Sequence, residues 1–174
     1  HTPFIEGYDA VYQKRYGEFI RSINDGFVGI PERSVVQFPK FGLFAENTLQ
    51  FLGVKYYIHK KSDGRHVWAY PFWNFPHYIP VYSDDYFEVY RNDKVLPRAF
   101  LASSYRIAAE NQKILDFLYD ASFDIRNTVI LEEKPDIEPL AGDGKVDITR
   151  YTPNDIEFKT VSDNPKLLFL SDVY

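Results

Sequence analysis

Between Tyr8 and Asn24, apolar residues recur every three or four positions. Val11, Tyr12, Tyr16, Phe19, Ile20 and Ile23 fall on one face, the spacing of an amphipathic helix. Asp9 is placed to cap its start and Asn24-Asp25-Gly26 to end it. After a loop with Gly29, Pro31 and Pro39, a short helix is expected from about Ala45 to Leu52, with Gly53 where a left-handed cap would sit. The period then changes to two. Val54 to Lys60 alternates bulky and polar residues, Lys61-Ser62-Asp63-Gly64 reads as a turn, and Arg65 to Tyr70 as the return strand.

Trp68 to Tyr90 follows neither rhythm. It holds ten aromatics in 23 residues, interrupted by Pro71, Pro76 and Pro80. Proline cannot donate to a β-ladder, so a central strand is not expected there. The stretch reads as a long ordered loop leading into a strand near Tyr86 to Arg91. Arg98 to Ile107 reads as a strand anchored by Phe100. Glu110 to Tyr119 reads as a helix with Ile114, Leu115, Phe117 and Leu118 grouped along it, and Thr128 to Glu132 as a buried strand. Pro135 to Gly144 is a connector. Lys145 to Tyr151 and Asp155 to Val161 alternate with period two around Thr152-Pro153-Asn154, and Lys166 to Asp172 reads as the third strand of an antiparallel meander. The expected class is α+β: a mixed sheet with about three helices over residues 1–135, then an antiparallel β-portion over 144–174. The two would form one compact unit whose last sheet is left incomplete at Tyr174.

A chain of 174 residues with 45% hydrophobic residues can bury about 70% of its unfolded surface in one ordinary domain. Lys and Arg number 20 against 25 Asp and Glu, a net charge of −5. That balance argues against a nucleic-acid partner, which needs a clustered basic excess. The longest clean apolar run is Leu167-Leu168-Phe169-Leu170, far short of the ~18 residues of a membrane span, so the chain is expected to be soluble. It contains no Met and begins His1-Thr2-Pro3. A processed product or a piece of something longer is therefore expected, with any signal peptide already removed. The absence of Cys excludes disulfides, thiol catalysis and thiolate metal sites.

The aromatic stretch is the first candidate for function. Sugars present C–H faces that stack on rings, and Trp68, Tyr70, Trp73 and Tyr78, with Phe72 and Phe75, are the residues to do it. The alternative is that these rings pin an irregular segment onto the sheet as core. His59 and His66 would face each other across a turn centred on Ser62-Asp63. A two-residue Asp63-Gly64 loop instead pairs His59 with Trp68 and Lys61 with His66, which separates the histidines. No metal or other cofactor is therefore expected. The acidic pairs Asp84-Asp85 and Glu132-Glu133 would point to opposite faces of a strand, so neither converges on one atom. Gly-rich phosphate loops, nucleophile elbows and His-Glu-x-x-His motifs are absent from the sequence, so no catalytic residue is assigned. Arg98, between Leu96-Pro97 and Ala99-Phe100, is either an anion-binding residue or half of an ion pair with a nearby Asp or Glu.

Several segments in order carry a resemblance. They are Gly7-Tyr8-Asp9 with the helix after it, Leu52-Gly53-Val54-Lys55-Tyr56-Tyr57, Tyr90-Arg91-Asn92 with Leu96-Pro97-Arg98-Ala99-Phe100, Tyr151-Thr152-Pro153-Asn154, and the closing Leu168 to Tyr174. Together they resemble the C-terminal extracytoplasmic part of the YfhO family of bacterial multispanning membrane proteins. Gly53 stands where that family commonly has Asn. The resemblance implies a large polytopic parent, similar to lipid-linked-sugar-dependent glycosyltransferases, whose catalytic carboxylate lies in an early loop outside this chain. It implies a lobe on the extracytoplasmic face of the cell membrane that helps to receive a glycan or glycolipid acceptor without turnover of its own. Its partners would be the remainder of its own membrane-embedded chain, an envelope glycan or glycolipid, and a second copy in a homodimer. Two rivals stand beside it. One is a purely structural module that caps the membrane part or dimerises. The other is a self-contained envelope-sugar hydrolase or transferase, which needs two carboxylates about 5–10 Å apart in one cleft.

Overall fold

The computed structural model describes residues 7–8, 13–31, 35–36, 38–39, 41–63, 70–152 and 154–171. Its chain divides into two units, His1–Leu96 and Pro97–Tyr174, each described by itself.

In the first unit, β1 (Gly7–Tyr8) pairs antiparallel with β2 (Val35–Val36). Tyr8 therefore belongs to a strand, and helix α1 (Lys14–Ser22) starts later than its apolar spacing implied. The Asp9 cap lies outside the described residues. Ile20 and Ile23 are buried along the expected face. The helix ends at the predicted turn, where the Gly26 N–H donates to the Ser22 carbonyl at φ +83°. Helix α2 (Ala45–Phe51) buries Ala45, Thr48 and Leu49. Gly53, at φ +66°, donates to Gln50, and the Val54 N–H donates back to Leu49. This pair of bonds satisfies the last carbonyls of the helix and requires a residue tolerant of the left-handed region.

β3 (Tyr56–Lys60) runs into a tight helical turn at Lys61–Asp63 rather than a two-residue loop. The expected return strand lies mostly outside the described residues, and so do His66 and Trp68. The aromatic stretch is less loop-like than its prolines implied. A single 3-10 turn at Phe72–Asn74 precedes β4 (Tyr78–Ser83), and β5 (Phe87–Asn92) follows. The three strands form an antiparallel sheet in the order β3-β5-β4. Pro80 is accommodated because β4 is an edge strand, with a register irregularity between Pro80 and Tyr82, the placement in which a missing donor does least harm. Among the described residues, two apolar clusters form the core of this unit. Ile20, Ile23 and Ala45 gather Tyr16, Phe38, Leu52 and Tyr70; Phe72, Tyr78 and Tyr90 gather Tyr57, Trp73, Phe75 and again Tyr70.

In the second unit, the strand expected from Arg98 to Ile107 breaks at Ser103, whose N–H donates to the Asn127 carbonyl. It becomes β6 (Ala99–Ala102) and β7 (Ser104–Ile107). Helix α3 (Asn111–Tyr119) crosses from β7 to β8 (Thr128–Leu131), which pairs parallel with β7. β9 (Gly144–Thr152) and β10 (Asp155–Ser162) form the predicted hairpin. β11 (Leu167–Leu170) forms where expected but pairs with β6, not with the hairpin. Phe169 sits opposite Phe100 with ring centroids 4.8 Å apart, and this apolar match draws the last strand back to the start of the unit. The chain accordingly divides after Leu96 rather than at the 135–144 connector. The class is α+β: the described residues form three α-helices and several small sheets, antiparallel except for β7 with β8.

Candidate functional site

The densest gathering of polar chemistry in the first unit is centred on Glu46, in the first turn of α2. One carboxylate oxygen, Oε1, accepts from the Tyr70 and Tyr78 hydroxyls, each at 3.0 Å. His77 Nε2 stands 2.7 Å from Oε2. That is an ion-pair distance, but the ring N–H is not aligned for a hydrogen bond. The Tyr57 hydroxyl is buried beside Tyr78 without an aligned bond of its own. Burial first pushes the phenols of Tyr57, Tyr70 and Tyr78 above the ordinary tyrosine range; after it comes the Glu46 carboxylate for Tyr70 and Tyr78, and the neighbouring Tyr78 phenol for Tyr57. They are therefore held protonated, Tyr70 and Tyr78 as donors to Glu46. Nothing in the local sequence distinguishes Glu46 or His77 as partners, because they lie 31 positions apart and only the packing of α2 against the aromatic layer unites them.

This layer decides the reading of the aromatic stretch. Tyr78 is only 4% exposed, its ring edge-on to Tyr57 and Phe72, so it offers no free face for a sugar and is corrected to a core residue. Tyr70, half-buried, stacks on Phe75 and meets Phe38 edge-on. Trp73, half-buried, packs on Phe72 and on His59 at ring-centroid distances of 4.9 and 5.4 Å. Trp68 lies outside the described residues. The packing alternative thus accounts for the described rings from Tyr70 to Tyr78.

The same stretch turns outward further along. In the β3-β5-β4 sheet, Tyr57, His59 and Tyr90 face the core, so their neighbours face away. Registered rows cross that outer face: Ile58–Val89–Tyr82, Tyr56–Arg91–Ile79 and Lys60–Phe87. Ile58 is 65%, Tyr82 54% and Tyr56 53% exposed. Arg91 is held by Asp93, Nε to Oδ1 at 2.6 Å. An antiparallel sheet with one solvated face ordinarily carries polar residues there. Here Val89 and Ile58 make an aliphatic centre, and around it the rings of Tyr56, Tyr82 and Phe87 share the margins with Ile79, Lys60 and Arg91.

Asp84 does not converge with another acid. Its carboxylate accepts from the Tyr82 hydroxyl and from the Tyr86 and Phe87 amides, each at 2.7 Å. These donors hold its pKa below the ordinary carboxylate value and close the turn between β4 and β5. Among the described residues, no three His, Asp or Glu side chains gather as a metal site. In the second unit, the Arg98 guanidinium lies over the Tyr151 ring, 4.8 Å from its centroid. Its Nη1 donates to the Tyr151 hydroxyl at 2.9 Å and to the Ser171 carbonyl at 3.3 Å. Those contacts tie β9 and the end of β11 to the start of β6, and an anion would have to compete with them. Among the described residues no helix is long and apolar enough to cross a membrane. Comparison of the chain with protein-family models, with curated proteins and with solved structures gives no match.

Proposed function

We propose that this chain is a non-catalytic recognition lobe, the extracytoplasmic part of a polytopic membrane protein similar to the lipid-linked-sugar-dependent glycosyltransferases. It would receive an amphipathic glycan or glycolipid acceptor on the outer face of the β3-β5-β4 sheet. One observation supports this reading: exposed Tyr56, Tyr82 and Ile79 surround an aliphatic centre of exposed Ile58 and half-buried Val89, with Arg91 beside it. Rings suit sugar C–H faces and the aliphatic centre suits an acyl or polyprenyl chain. The recognition surface is thereby moved from Trp73 and Tyr78 to the outer face formed by β3 and the later half of the aromatic stretch.

In a binding assay with envelope polysaccharide, and separately with glycolipid-bearing vesicles, the double variant Tyr56→Ala, Tyr82→Ala should bind about tenfold more weakly. The melting temperature should fall only slightly, through loss of the Tyr82 hydroxyl bond to Asp84. Undiminished binding to both would remove the proposal. A second reading is favoured by the aliphatic centre itself: the face docks onto the membrane-embedded remainder of the parent. Ile58→Glu would then abolish that docking while leaving polysaccharide binding intact.

A further inference from the structure

The second unit presents a different surface, independent of the acceptor face. Among the described residues β10 pairs only with β9, so its other edge is open. The Thr152 hydroxyl donates to the Asp155 carbonyl and the Thr149 hydroxyl to the Glu157 carbonyl. The odd-numbered carbonyls therefore face β9. By the alternation of an antiparallel ladder, the main-chain groups of Ile156, Phe158 and Thr160 face away. An eight-residue edge of this kind is a template for another strand.

We propose that β10 pairs antiparallel with β10 of a second copy, forming a two-fold dimer centred on Phe158. Charge selects both the occupant and the register. With the axis at Phe158, Glu157 of each copy lies opposite Lys159 of the other, twice over, and the outward main-chain groups of Ile156, Phe158 and Thr160 meet their counterparts. Moving the axis to Glu157 sets Glu157 against itself, and moving it to Lys159 sets Lys159 against itself. Like charges directly opposite are destabilising. The hairpin extends the pattern, because Lys159 is registered with Asp147 and Glu157 with Arg150, the latter pair at 3.5 Å. A row across the dimer then reads Asp147, Lys159, then Glu157 and Arg150 of the second copy, alternating in sign over four strands. Charges on an edge normally repel an arbitrary strand; these admit a copy of themselves in one register. Such an interface is isologous, as two-fold contacts must be.

Sedimentation equilibrium of the full chain across a wide micromolar range should give a reversible monomer–dimer equilibrium that weakens with salt. Lys159→Glu replaces two attractive pairs with two repulsive ones and should raise the dimer Kd about tenfold. The double variant Glu157→Lys, Lys159→Glu restores opposite charges across the interface and should recover part of that loss, the rest being kept by the like charges it sets against Arg150 and Asp147 within each hairpin. Circular dichroism checks that each variant is folded. As a second measurement, hydrogen exchange at the Phe158 and Thr160 amides should slow as concentration rises. A chain that stays monomeric, a dimer indifferent to Lys159→Glu, a loss that the double variant does not recover, or Phe158 and Thr160 amides whose exchange ignores concentration would each overturn the proposal.

Discussion

Glu46 ties a helix to a layer of rings, and its contacts are those of a tether rather than a general base. A base needs an unencumbered oxygen within reach of a substrate proton, whereas Oε1 already accepts from Tyr70 and Tyr78 and Oε2 faces His77. Glu46→Gln keeps the volume but removes the charge from both hydrogen bonds and from the imidazole contact. It should lower stability by about 2 kcal/mol in urea denaturation; a neutral result would mean that the tether contributes nothing. Such residues escape a reading of the sequence for a physical reason. Aromatic richness between Trp68 and Tyr90 is visible, and so are two competing uses for it. Whether a given ring ends in the core or on the surface depends on strand register, which composition does not carry. Tyr78 and Tyr82 are four residues apart, yet one is buried and the other exposed, because the irregularity after Pro80 resets the alternation.

Elements held by local rules were the legible ones. The Gly53 cap of α2, the face of α3 and the hairpin of β9 with β10 follow from turn chemistry and period alone. Partner choice was not legible. Period two shows that Leu167–Leu170 is a strand, but its pairing with β6 comes from a long-range match of Phe169 with Phe100. Helix α1 starts later than apolar spacing predicts, because that spacing runs on through Tyr8, which pairs with Val35 instead. The two faces of the β3-β5-β4 sheet offer a test at this scale. Trp73→Ala removes a ring packed between Phe72 and His59 and should cost about 2–4 kcal/mol. Ile58→Glu alters the opposite, solvated face and should change stability by less than about 1 kcal/mol, while lowering native-state binding of a hydrophobic dye. Equal destabilisation by the two would show that the faces are assigned the wrong way round.

At the scale of the whole molecule, the protein needs alkaline-sensitive packing to hold its first unit together. Tyr57, Tyr70 and Tyr78 all belong to that unit, and burial raises each phenol from its ordinary value of 10.0. An unfolded chain releases these protons near pH 10, whereas the native unit keeps them. Unfolding above that pH therefore releases protons, and stability must fall as pH rises; below about pH 10 the contribution is fully present. Each phenol that keeps its proton adds a slope of up to about 1.4 kcal/mol per pH unit. Denaturant titrations followed one pH unit either side of that value should show a steep loss of stability. Phenolate absorbance from these three rings should rise only together with unfolding. A native state that ionises all its tyrosines before it unfolds would contradict the burial on which both the Glu46 tether and the inward assignment of Tyr78 rest, and the outer sheet face would then lose its distinction from the inner one.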